Sequence, residues 1–95
     1  MSQLYLVLVA YDIADPRRLR RVARVLEAAG DRVQKSVFEC GLSADALKAL
    51  RCRLRQIIDP RQDHILIQPV CTHCRSAITW QGKAPAASTE PFWIV

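Results

Sequence analysis

The chain has 95 residues, with 14 Lys and Arg against 9 Asp and Glu, a formal charge of +5 and a pI near 9.4. Its length confines it to one small domain, and 51% hydrophobic with 24% charged residues excludes a disordered chain. No apolar run approaches the ~20 residues that cross a bilayer, and no basic leader precedes the first one, so the sequence predicts a cytoplasmic protein whose four cysteines are reduced.

In chain order, the first element is Leu4 to Ile13, LYLVLVAYDI, a short run rich in Leu, Val and Tyr that reads as a buried strand. Alternation places Leu4, Leu6, Leu8 and Ala10 on one face and Tyr5, Val7, Val9 and Tyr11 on the other. Both sets are apolar, so both faces are expected to be covered. Asp12 stands at the carboxyl end. A bare carboxylate there is costly without water, hydrogen bonds or a cation.

Asp15-Pro16 marks a helix start, with Asp15 as N-cap and Pro16 in the first helical position. The helix is expected from about Pro16 to Ala29, ending on Gly30 as a left-handed C-cap. Leu19, Val22, Ala23, Leu26 and Ala29 form its apolar face, and Arg17, Arg20, Arg21 and Arg24 fall opposite. Arg17 and Arg18 lie at the positive end of the helix dipole, which costs a few tenths to ~1 kcal/mol each and suggests a task other than stability.

Arg32 to Leu42 is extended, either as one long kinked strand or as a tight two-strand pair. Ser43 then caps a second helix, about Ala44 to Ile57, with Leu47, Leu50, Leu54 and Ile57 as its apolar stripe and Lys48, Arg51 and Arg55 opposite. Asp59-Pro60 ends it. His64 to Val70 is a further strand, and Pro69 confines it to a sheet edge or to ending there. Cys71 to Cys74 reads as a turn and Ala77 to Trp80 as a short strand. Lys83 to Pro91 reads as a linker, and Phe92 to Val95 as a strand docked on this subunit or a neighbour. The domain thus spans 1–82, and 83–95 are linker and docking strand. The order is β-α-β-β-α-β with an extra C-terminal strand, the α+β, ferredoxin-like, split βαβ pattern. It leaves one sheet face open, and a two-fold partner is the simplest lid, so a homodimer is expected.

Tyr11-Asp12-Ile13, Asp15, Arg21-Val22, Gly30, Arg32-Val33-Gln34 and Ser36-Val37-Phe38-Glu39-Cys40 together resemble the CRISPR-associated protein two family. The match runs in order and spacing over about the first 70 residues, and the terminal apolar strand looks like the family's swapped strand. The resemblance implies a ferredoxin-like homodimer and metal-dependent endonuclease activity on single-stranded RNA or double-stranded DNA. It implies that Asp12 from each subunit flanks one shared divalent ion, Mg²⁺. It also implies a role in spacer acquisition, in which the dimer bridges subunits of the CRISPR spacer integrase and holds DNA. In several members that scaffolding does not need the aspartate.

Physical chemistry bears on each residue. A phosphodiesterase uses a hard divalent cation to neutralise developing charge and activate water, and Mg²⁺ takes only one or two protein carboxylates. Asp12 is therefore the expected catalytic and metal-binding residue; the plainer alternative is a carboxylate accepting hydrogen bonds where the strand ends. Asp15 has its cap to make and is not counted as a ligand. Arg forks match phosphate geometry, so Arg17, Arg20, Arg21 and Arg24 are expected to contact a nucleic-acid backbone rather than form a merely solvated face, with Arg32, Lys35 and Ser36 extending that surface. Phe38 reads as core. Ser36 and Phe38 have no nucleophile's partner nearby, since the only histidines are His64 and His73, so Ser-His or Cys-His chemistry is unsupported. Cys71-x-x-Cys74 around His73 is only half of a zinc knuckle, and zinc is not expected. A small-ligand regulatory domain would need a polar pocket and no basic surface, which the composition opposes. Two functions therefore stand: a Mg²⁺-dependent endonuclease, or a non-catalytic dimeric scaffold that grips duplex DNA.

Overall fold

A computed structural model describes residues 4–70, 79 and 81. Its elements are β1 (Tyr5–Asp12), α1 (Pro16–Ala29), β2 (Gly30–Gln34), β3 (Val37–Leu42), α2 (Ala44–Ile57) and β4 (His64–Val70). The strands form one sheet in the order β2-β3-β1-β4, and every neighbouring pair is antiparallel. The class is α+β, as the hydrophobic pattern predicts. The stretch from Arg32 resolves into the two-strand pair: β2 and β3 are joined by the two-residue turn Lys35-Ser36, and the register slips at Val33. The extra residue there is a β-bulge, which the strand pattern alone does not announce. The expected turn at 71–74, the short strand at 77–80, the linker and the terminal strand lie outside the described residues.

Both helices pack on one sheet face. Val7, Val9 and Tyr11 of β1 meet Phe38, Cys40 and Leu42 of β3 beneath Val22, Leu26, Leu50, Leu54 and Ile57 of the helices. Phe38, Leu26 and Leu54 are essentially fully enclosed. Each such side chain contributes about 1.5–3 kcal/mol on leaving water. Tyr11 and Phe38 stack with ring centroids 6.2 Å apart. Cys40 lies in this layer as a free thiol; burial pushes its pKa up to about 11, assisted by the charges of Asp31 and Glu39.

On the face away from the helices Leu6 and Glu39 are buried, Leu8 and Ala10 are half-buried, and Leu66 is 63% exposed, the partly open face that the element order predicts. Two expectations require correction. Leu19 is 38% exposed, not core, because α1 is rotated so that Val22, Leu26 and the half-buried Val25 and Ala29 face the sheet. Gly30 ends α1 in extended backbone (φ −172°, ψ −155°), not in a left-handed cap; its N–H still donates to the Leu26 carbonyl. What demands glycine there is proximity. A Cβ would stand 2.7 Å from Cys40 Cα and 2.8 Å from Cys40 Sγ, and closer still to the Glu39 carbonyl oxygen.

The caps are as the sequence indicates. The Asp15 carboxylate accepts from the N–H groups of Arg17 and Arg18, and Ser43 Oγ accepts from Ala46 N–H. No described helix is long and apolar enough to cross a membrane.

Candidate functional site

Antiparallel pairing gathers Asp12, Lys35 and Ser36 at one end of the sheet, with Asp12 on the face away from the helices, whereas Arg17, Arg20, Arg21 and Arg24 lie along α1 on the other face. β1 finishes there at Asp12, β2 finishes at Gln34, and β4 begins at His64. The turn between β2 and β3 is pinned beside β1 by backbone and side chain. Tyr11 N–H donates to the Ser36 carbonyl at 3.1 Å, Tyr11 OH donates to the Lys35 carbonyl at 3.4 Å, and Arg32 Nη1 donates to that same carbonyl at 2.7 Å. Arg32 also lies over the Phe38 ring, 4.9 Å from its centroid. Its guanidinium thus fixes the turn as well as adding positive charge. Lys35 is exposed and Ser36 half-buried, one residue removed from the strand rung that precedes Asp12.

Asp12 is exposed. Among the described residues its carboxylate makes no hydrogen bond or ion pair. Directly across the β1–β4 ladder is His64, on the same sheet face and likewise exposed. No group of three or more His, Cys, Asp or Glu side chains comes together among the described residues. Among the described residues this end of the sheet therefore offers one unengaged hard carboxylate, Asp12. That fits Mg²⁺, which keeps most of its waters, and it leaves room for a second copy's carboxylate.

The nearest other carboxylates are committed. Asp15 caps α1. Asp63 is 4% exposed and accepts four hydrogen bonds: Ala14 N–H (3.0 Å), Asp59 N–H (2.8 Å), Arg18 Nε (2.7 Å) and Arg18 Nη2 (3.2 Å). The Arg18 guanidinium, with the two backbone N–H groups, holds the Asp63 carboxyl well below the usual carboxylate range against the opposing effect of burial. Asp63 in turn raises Arg18. This clamp ties the loop after Asp12 to the residue before His64. It also gives Arg18, at the positive end of α1, a structural task that the dipole alone does not reveal. Nothing in the sequence marks it, since its partner is 45 residues away and such pairs are visible only once the fold is known.

Arg17, Arg20, Arg21 and Arg24 are all exposed along α1. No carboxylate among the described residues forms an ion pair with any of these four. α2 adds Lys48, Arg51, Arg53 and Arg55, also exposed, on the same side of the sheet. The helical layer therefore presents a positive field of the kind that follows a phosphate backbone.

Comparison with known proteins finds relatives of the same fold. A family model described as CRISPR associated protein Cas2 matches residues 5–78. A protein named CRISPR-associated endoribonuclease Cas2 3, from Synechocystis sp., is 39% identical over 82 residues, covering 86% of this chain and 89% of its own. Among solved structures, a hypothetical protein from Thermus thermophilus superposes with a TM-score of 0.77 at 40% identity, covering 86% of this chain and 95% of that one. Streptococcus pyogenes Cas2 superposes with a TM-score of 0.73 at 35% identity, covering 81% of this chain and 99% of that one.

Proposed function

The chain belongs to the CRISPR associated protein Cas2 family, and from that premise we propose that it is a metal-dependent endonuclease of CRISPR adaptation. Its substrate is single-stranded RNA or double-stranded DNA, and its working form is a cytoplasmic, ferredoxin-like homodimer that joins the spacer integrase. The observation that carries this reading is the exposed carboxylate of Asp12, unengaged among the described residues, at the end of an inner strand. Asp12 from two copies would hold one Mg²⁺, which supplies charge neutralisation at the phosphate and an activated water. The chain's own residues do the rest. Arg17, Arg20, Arg21 and Arg24 bind the backbone electrostatically without reading bases. Arg32 and Tyr11 hold Lys35 and Ser36 beside Asp12, where they meet the phosphate next to the cut.

The test is cleavage of labelled RNA and duplex DNA with Mg²⁺ and with EDTA. Asp12→Asn is expected to abolish cleavage while preserving dimer mass and duplex binding. Undiminished cutting by that variant would sink the catalytic role of Asp12.

A second reading is favoured by one observation: the basic layer is complete without Asp12. A non-catalytic dimer could grip duplex DNA and bridge integrase subunits through that layer alone. Native protein that binds duplex and cuts nothing would establish it. On either reading, replacing Arg17, Arg20, Arg21 and Arg24 together with Gln is expected to weaken duplex binding and flatten its salt dependence. The slope of log K against log salt should fall by about 0.9 for each phosphate that is no longer neutralised. An unchanged slope in a salt titration followed by anisotropy would remove α1 from the interface.

A further inference from the structure

We propose that His64 joins Asp12 as a ligand, and that the site therefore takes a first-row transition dication of the Mn²⁺ class in preference to Mg²⁺. The inference rests on the reading above that Asp12 binds metal, and it names which metal.

The strand register carries it. Asp12 and His64 are direct partners in the β1–β4 ladder, and residues so placed have Cβ atoms about 4.5–5.5 Å apart on the same face. A single small ion bridges that separation from a carboxylate to an imidazole. Both side chains are exposed at the end of the sheet, and neither bonds to the other or to any described side chain. A simple cross-strand ion pair is thus not what occupies them.

Their spacing is also held from both sides. Asp63 immediately precedes His64, and it accepts from Ala14 N–H, two residues beyond Asp12, and from Arg18. The clamp fixes the last rung of the ladder, so the backbone positions that carry the two donors are set before an ion arrives. Asp15 and Asp63 are engaged elsewhere and cannot turn the site into an all-carboxylate cage.

Donor chemistry then decides the metal. Mg²⁺ demands oxygen ligands and gives up water reluctantly. An imidazole nitrogen beside one carboxylate suits a first-row transition dication instead, and Mn²⁺, at the low-affinity end of that series, is the member that shares the preference of Mg²⁺ for oxygen while also accepting a nitrogen ligand.

The test uses Mn²⁺ itself as probe, followed by loss of the free-ion electron paramagnetic resonance signal, with Mg²⁺ as competitor. The native protein is expected to bind Mn²⁺ at least about ten-fold more tightly than Mg²⁺, and its bound spectrum should show nitrogen modulation. His64→Asn should lose about ten-fold or more in Mn²⁺ affinity, lose the nitrogen modulation, and change little toward Mg²⁺. Because His64 is exposed, the variant should melt with the native protein. Equal Mn²⁺ affinity in His64→Asn and the native protein overturns the role of His64 and leaves the Asp12 reading standing. Equal affinity in Asp12→Asn, or no binding by the native protein, overturns both.

Discussion

Replacing Asp63 with Ala is expected to lower the melting temperature by on the order of 10 °C or more, the largest stability loss of any single polar substitution in this fold. The side chain is enclosed and accepts four hydrogen bonds. Removing it strands two backbone N–H groups and leaves the Arg18 guanidinium without its counter-charge. Breaking one partner of such a pair costs far more than the intact pair contributes over apolar replacements. The pH dependence has a definite sign. The folded-state pKa of Asp63 is depressed, chiefly by Arg18, so its stabilisation is fully present above the ordinary carboxylate range. It is lost as pH falls below about 4, through the lower folded value. Thermal melts of the native protein should therefore drop steeply below that point. Asp63→Asn should start lower at neutral pH and fall less. Parallel curves for the two proteins would show that the Asp63 charge is not linked to folding.

The second large effect is expected at Gly30. Gly30→Ala should cost about 3 kcal/mol, comparable to removing a core side chain. The backbone there is extended and open to any residue in conformation, so the penalty is purely one of space. The added methyl meets the Cys40 backbone at 2.7 Å and the Glu39 carbonyl oxygen, neither of which can swing aside as a flexible side-chain tip would. β2 must move off β3 to make room, and with it the turn at Lys35-Ser36 that flanks Asp12. Chemical denaturation should show a lowered midpoint, and amide exchange in β2 should accelerate more than in β4. A variant as stable as the native protein would show that the α1–β2 junction relaxes freely.

These two residues mark where sequence reasoning reaches and where it stops. The bounds of α1, α2 and β4 are legible because each carries a local signal: Asp15-Pro16, Ser43 before a Leu stripe, and an apolar run from His64 to Val70 that follows Asp59-Pro60. Asp12 is legible because a carboxylate closing an apolar strand is anomalous by itself. Gly30 is recognisable as a stop, yet for the wrong reason, since a helix-ending glycine suggests a positive φ and close approach to another strand leaves no mark nearby. The choice between one kinked strand and a hairpin stays open in the sequence because the bulge at Val33 breaks the alternation that would declare two strands. Arg18–Asp63 and Asp12–His64 are illegible for one shared reason. Each joins the first 20 residues to β4 or its threshold, and only the strand order brings those segments together.

Placing the proposed metal ligands on the outermost rung has a consequence for how this protein can change. Asp12, His64, Lys35 and the arginines of α1 are all exposed, while the packing that holds the sheet lies inward at Val7, Val9, Phe38 and Leu54. Substitutions at the rung therefore alter chemistry with little thermodynamic cost, and those in the interior alter stability with little direct effect on chemistry. Such a chain would be free to drift between the two proposed functions, cutting nucleic acid and merely gripping it, without passing through an unfolded ancestor, because evolvability and foldability reside in different layers of the same small sheet.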